Sequence, residues 1–358
     1  MTHAGVDDDG VEPAVRIECT PYDVVGVTFV ANVAEDRRTA DGAHHRVERG
    51  RVPAGPDHDG AALSQCACGR GADAAARPGD DDYLPRQLHA PILAKRGIHP
   101  DRRVLLITVT PQLDVRRAAD RFTTRIDWLD SKHSFSFGHH YDAANTHHGL
   151  LLVNNDDVVA PGTGFETHPH RDMEIVTWVL RGELVHQDSE GHNGVIYPGL
   201  AQRMSAGTGI LHSEKNDAWR LTGADTHTDP VHFVQMWVVP DEQGIKPGYE
   251  QLEIGDELLR GGLVPVASGM TKHDGAAAIR IRNSYAALHA ARLSAGDSVE
   301  LPDAPYLHLF VPRGAVTLEG AGRLDTGDAV RLTGIGGNRV VADDDAEVLV
   351  WEMHASLA

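Results

Sequence analysis

His168-Pro169-His170 and, further along the chain, His212-Ser213-Glu214 are the residues whose types and spacing could do chemistry. In a β-strand, residues i and i+2 point to one face, so each triplet offers two donors side by side and turns its middle residue away. If both strands line one barrel, three imidazoles and a carboxylate converge on a common point. That donor set suits a divalent transition metal, whether iron, manganese, nickel, copper or zinc, and argues against calcium, which takes oxygen ligands. Four protein ligands in an octahedral shell leave two positions for small molecules.

The flanking residues agree. Gly162-Thr163-Gly164 and Gly207-Thr208-Gly209 each precede one triplet, where a tightly curved barrel needs backbone freedom or close approach. Pro169 cannot donate to a ladder, which places it at a strand start, a bulge or an edge near the barrel mouth. The chain holds 22 histidines, so a lone HxH would carry little weight. The adjacent pairs His139-His140 and His147-His148 would point to opposite faces of any strand and read as surface or loop residues. The matched Gly and Thr spacing ahead of both triplets is what singles them out.

The elements that must position these triplets are strands. With 37 glycines and 5% aromatic residues, the composition fits a turn-rich β protein better than a helical bundle. Short β-branched runs give candidate strands at 149–154, 174–180, 184–187, 201–204 and 232–239. The turn-rich run PDEQGIKPG, 240–248, leads to a second series at 290–293, 298–301, 306–311, 316–318, 329–332 and 347–354. The spacing predicts antiparallel sandwiches or barrels. Leu180-Arg181-Gly182-Glu183 is echoed by Pro312-Arg313-Gly314-Ala315, and Pro198-Gly199-Leu200-Ala201 by Thr326-Gly327-Asp328-Ala329, a weak repeat that supports two barrels of similar build.

Charge and cysteine usage narrow the setting. Of the 358 residues 52 are acidic and 33 basic, a net charge of -19 that repels phosphate backbones and speaks against direct nucleic-acid binding through a general basic surface. Three cysteines, Cys19, Cys66 and Cys68, cannot build a disulfide framework, and the Cys66-Ala67-Cys68 pair lacks the second pair a metal site needs. A reducing, cytoplasmic setting is expected. The apolar run 24–34 is too short to span a bilayer and lacks signal-peptide flanks. Residues 1–112, with acid clusters at Asp7 to Asp9 and Asp80 to Asp82, are expected to form an extension that is mostly disordered or poorly packed.

The stretches WLDSKHSFSFGHHYD, NNDDVVAPGTGFETHPHRDMEIVTWVLRGELVHQDSEG and MSAGTGILHSEKN resemble the pirin family of two-barrel cupins. The resemblance spans roughly residues 115–354 and is strongest in the first barrel. It implies an all-β fold of two cupin barrels (double-stranded β-helix, jelly-roll) in tandem, with an N-terminal barrel at 113–243 and a C-terminal barrel at 244–358. It further implies one metal, commonly iron as Fe(2+), held by His168, His170, His212 and Glu214 of the first barrel. Glu174 stands at the general cupin ligand position, but in pirins that residue is not a ligand, so it takes a supporting role; Asn216 fits an orienting residue. The second barrel is expected to be metal-free. Superposing the two Arg-Gly pairs puts Glu300 and Pro302 where His168 and His170 sit, no HxH or HxE pair lies between Arg282 and Glu352, and His308 stands alone as a structural residue.

The resemblance also implies an activity, that of quercetin 2,3-dioxygenases: oxygen-dependent opening of a flavonol ring with release of carbon monoxide. Its substrates would be a small aromatic flavonol-like molecule and O2, with Glu214 as the candidate catalytic base. The alternative is an iron-dependent redox-sensing binding protein or transcription cofactor, without turnover, whose partner would be another protein.

Overall fold

A computed structural model describes residues 110–255 and 261–357. The expected extension over 1–112 therefore lies outside the described residues, its last three excepted, as do Cys66 and Cys68. The chain runs through β1 (Gln112–Arg116), β2 (Phe122–Ile126), β3 (Leu129–His133), β4 (Leu151–Val159), β5 (Gly164–His170) and β6 (Glu174–Arg181). It continues through β7 (Leu184–Asp188), β8 (Asn193–Ile196), β9 (Leu200–Ser205), β10 (Ile210–Lys215), β11 (Val231–Val238) and β12 (Gly248–Glu253). Then come β13 (Val264–Ser268), β14 (Ala286–Leu293), β15 (Ser298–Glu300), β16 (Tyr306–Arg313) and β17 (Ala315–Leu318). The last strands are β18 (Gly322–Asp325), β19 (Ala329–Thr333), β20 (Arg339–Ala342) and β21 (Ala346–Met353).

These strands form two barrels of like build. In the first, a seven-stranded sheet ordered β12-β9-β6-β11-β4-β3-β2 packs on a four-stranded sheet ordered β5-β10-β7-β8. In the second, a six-stranded sheet ordered β1-β19-β16-β21-β14-β13 packs on β15-β20-β17-β18. The two Arg-Gly echoes fall at matching corners, Gly182 between β6 and β7 and Gly314 between β16 and β17, both at positive φ (80° and 77°). At Gly314 a Cβ would stand 2.3 Å from the Asp345 carbonyl oxygen, so the corner requires glycine.

Strands β6, β11 and β21 are buried along almost their whole length, which explains their continuous apolar texture. One face of each looks into its own barrel and the other into an apolar layer shared by both. Val176, Trp178, Val234 and Met236 supply the first barrel's side of that layer, and Leu288, Phe310, Leu349 and Trp351 the second's. Polar links also cross it. The Trp178 indole N–H donates to Glu347 Oε1 at 2.6 Å, and the Arg313 guanidinium donates to the Leu180 carbonyl at 2.7 Å. His308 lies on the same layer beside the Phe135 ring, centroids 5.7 Å apart, with neither nitrogen hydrogen-bonded. Burial holds it well below the ordinary histidine range, so it is a neutral packing residue. His148, read as a surface or loop residue, lies in the loop before β4, where its ring is half-buried and bonds the Leu307 carbonyl oxygen at 3.1 Å.

Sheet pairing crosses the expected division near residue 243 in both directions. β1, at the N-terminal edge, pairs with β19 of the second barrel from Gln112↔Thr333 to Arg116↔Ala329. β12, beyond the PDEQGIKPG connector, pairs back onto β9 of the first, from Gly248↔Ser205 to Glu253↔Leu200. No helix among the described residues is long and apolar enough to cross a membrane. Replacing Trp178 with Phe should destabilise the chain by about 1.5–3 kcal/mol, because Glu347 would lose a buried charge-assisted hydrogen bond. Denaturant unfolding of the two proteins measures this, and an unchanged midpoint would show that the indole N–H contributes nothing.

Candidate metal centre

The register of β5 against β10 decides where the two triplets point. His168 faces His212, His170 faces Ile210, and Pro169 faces Leu211. Strand alternation then sends the histidines inward and leaves Pro169 and Leu211 on the outside, where both are exposed. Pro169 lies on β5, the edge strand of its sheet, as its missing N–H requires. A register shift between His212 and Glu214 sets Glu214 opposite Phe165 with the extra residue in β5, while β10 keeps its regular pairing with β7, so Glu214 stays on the face of His212. Gly164 permits it: at φ 153° a Cβ there would stand 2.2 Å from the Glu214 carbonyl oxygen.

Three imidazoles meet inside the barrel. Ring centroids are 4.4 Å apart for His168 and His212, 4.8 Å for His170 and His212, and 4.9 Å for His168 and His170. Their ligand atoms fall within 4.8 Å of one another. Glu214 joins a second group of that size with His186 and His212, so His212 is shared by both. All these side chains are buried.

The hydrogen bonds assign the free lone pairs. His168 Nδ1–H donates to the Glu166 carbonyl at 2.7 Å, leaving Nε2 bare. His186 Nε2–H donates to Asp188 at 3.1 Å, so its Nδ1 accepts from His212 Nδ1 at 3.4 Å and the His212 Nε2 lone pair stays free. His170 bonds through neither nitrogen. Burial lowers all three: His170 to about 3 with the charge of His168 assisting, His212 well below the ordinary value, and His168 against the pull of its bond to Glu166. They are neutral bases at physiological pH. Buried, unpartnered nitrogens of this kind cost free energy unless a cation satisfies them, so the residues present fit a transition metal.

The carboxylate is held from behind. Gln235 donates from Nε2 to Glu214 Oε2 at 2.7 Å, and the Trp237 indole fixes Gln235 by donating to its Oε1 at 2.9 Å. The Thr177 hydroxyl is the other partner, 3.5 Å from Oε1. Burial pushes Glu214 up to about 7 despite these bonds. Asp157, also buried, is pushed up to about 7 by burial, with the charges of Asp156 and Glu214 adding to it. Two acidic groups in a dry interior favour a cation beside them.

Sequence reasoning missed His186, Asp188, Gln235 and Asp157. His186 and Asp188 sit in the quoted LVHQDSEG stretch at i and i+2 on β7, where the same alternation rule could have found them. Burial pushes the Asp188 carboxyl up, but bonds from the His192 amide, His186 and the His192 ring outweigh it and hold it low. Glu174 points away from the histidines, to the shared layer, where Oε2 accepts from the Ser205 hydroxyl and the Arg282 amide at 2.9 Å each. Asn216 bonds the carbonyls of Val159 and Asp229 at 3.0 Å, tying the end of β10 to β4 and to the loop before β11.

A cation that binds here must displace the Glu214 proton at pH 6, since a carboxyl raised to about 7 is protonated below that pH. Uptake should release about one proton per cation, and affinity should climb between pH 5 and about 7, then level off. Calorimetric titration in buffers of unlike ionisation enthalpy counts that proton; uptake with none released would count against Glu214 as a ligand.

The comparisons with known proteins bear on both barrels. The family model described as Pirin matches residues 114–238, and the one described as Quercetinase C-terminal cupin domain matches 266–353. A protein of Mycobacterium tuberculosis strain H37Rv named "Putative quercetin 2,3-dioxygenase" is 62% identical over 249 residues, covering 70% of this chain and 98% of that protein. The quercetin 2,3-dioxygenase of Escherichia coli K12 is 36% identical over 244 residues, covering 67% and 97%. Among solved structures, the Escherichia coli bacterial pirin YhhW in complex with nickel(II) superposes with a TM-score of 0.60 at 33% identity, covering 68% of this chain and all of that one.

Proposed function

The chain belongs to the pirin family, and from that premise we propose that it is a metal-dependent dioxygenase that opens a flavonol-type ring with O2. His168, His170, His212 and Glu214 would hold its one divalent transition metal in the first barrel. The observation that carries this reading is the set of buried, unpartnered imidazole nitrogens beside a carboxyl group fixed by Gln235. Bound there, Fe(2+) or a neighbouring ion would supply Lewis acidity and the redox capacity that dioxygen chemistry needs.

The chain's own residues supply the rest. An open depression lined by Pro169, Arg171, Ser189, Ile210 and Leu211 borders His170 where β5 and β10 meet, on the outer side of the two strands. The Trp237 ring stands edge-on to His170, centroids 4.8 Å apart, and keeps water from that side. Glu214 takes the proton of the substrate hydroxyl at Oε1, because Oε2 is occupied by the Gln235 amide and Thr177 bonds Oε1 only at 3.5 Å. Relatives named for quercetin 2,3-dioxygenation support the choice of reaction.

Oxygen consumption and carbon monoxide release by the iron-loaded full chain, over a panel of flavonols, test the reading. Turnover should vanish with chelator, and Glu214→Gln should lower kcat by about 10²–10⁴ while much of the metal stays bound. No oxygen uptake with any flavonol would retire the dioxygenase reading in favour of a redox-sensing binding protein.

A further inference from the structure

A second group of ligand-type side chains lies at the mouth of the second barrel. Strand alternation puts His289 on the inward face of β14 with Ala291 and Leu293, and Glu352 on the inward face of β21 with Val348 and Val350. These apolar neighbours fill the barrel below them. His273, on the short turn Thr271–His273 between β13 and β14, lays its ring edge-on to His289, centroids 5.1 Å apart. The ligand atoms of His273, His289 and Glu352 fall within 4.8 Å of one another. His354, two residues beyond Glu352 and so on the same face, bonds Glu352 Oε1 at 2.6 Å, while His289 Nε2 bonds Oε2 at 3.1 Å. The Lys272 ammonium, ion-paired to Oε1, also faces the carboxylate, and the Ser268 hydroxyl lies 2.9 Å from His273 Nδ1.

We propose that His273, His289, Glu352 and His354 form a second divalent transition-metal site, for which the Lys272 ammonium is a built-in competitor. Three imidazoles and one carboxylate repeat the donor set of the first barrel, on different strands. There the ligands come from β5 and β10; the equivalent strands β15 and β20 present Val299 and Val340, which belong to the apolar core. The second barrel thus lacks the first barrel's site and carries its own at the end of its larger sheet. Donors sharing a zinc at about 2.1 Å stand about 3.4 Å apart, close to the separations among His273, His289 and Glu352, while His354 is placed by its bond to Glu352. The pair Glu352-Met353-His354 is an ExH spacing, with both ends on one face of the chain as β21 ends. Its cation would pin the turn carrying His273 across the barrel mouth.

A plain ion-pair network would look similar, and Lys272 separates the two. Zn(2+) titrated into the metal-stripped full chain, followed by calorimetry and elemental analysis, should give one equivalent fewer for His273→Ala/His354→Ala than for the parent. His168→Ala/His170→Ala should lose a different equivalent, so failure of one site leaves the other readable. Lys272→Ala should bind the second equivalent about tenfold tighter, by removing the ammonium from Glu352. If the His273/His354 pair variant does not fold, His354→Ala alone should weaken that equivalent about tenfold. Unchanged stoichiometry in the His273/His354 variant, or unchanged or weaker binding in Lys272→Ala, would overturn the site and leave a salt-bridge cluster in its place.

Discussion

The register between β5 and β10 is the constraint on which the first barrel's chemistry depends. With His168 opposite His212, alternation carries three imidazoles inward together; a slip of β5 by one residue would turn its triplet inside out and aim Pro169 at the centre. Burial of Ile210 favours that register, and Pro169 and Leu211 face outward in it. The cost is concentrated at one place. The His170 ring is buried with neither nitrogen hydrogen-bonded, and Glu214 sits in an interior dry enough to hold its proton near neutral pH. A protein interior tolerates such groups when the site awaits an ion that satisfies them together.

Much of this was legible in the residues. The candidate strands at 174–180, 184–187 and 306–311 all lie within observed strands, because their buried faces demand apolar runs. β2 and β3 escaped notice, since FTTRI and LDSKH are polar strands at a partly exposed sheet edge, where burial writes little pattern. Within the site, both HxH and HSE announced themselves by spacing. Gln235 and Asp157 did not: Gln235 sits among apolar neighbours on β11, Asp157 ends the polar run Asn154 to Asp157 on β4, and the Glu214 carboxyl near both is distant in sequence. The second histidine cluster was hidden for the same reason: its members come from a turn, two strands and the residue just beyond, and only Glu352 and His354 are neighbours along the chain.

The two barrels are one plan with unlike interiors. The first interrupts its apolar filling with a polar middle in which His133, Asn155, Asp157, Thr177, Gln235 and Glu214 are all buried. The second fills the equivalent space with Val299, Leu309, Leu324, Val340 and their neighbours. The two share a buried layer of Trp178, Phe310 and Trp351, to which the first barrel contributes β6, paired between β9 and β11.

The exchange of edge strands has a further meaning. Because β1 completes the second barrel's sheet and β12 completes the first's, the polypeptide is laced like a clasp, each half fastening the other. Cutting the chain at the connector would strip both sheets of a border and bare two ladders of unsatisfied amides to self-association. The lacing makes the two barrels fold and fail as a single object rather than as two beads on a string.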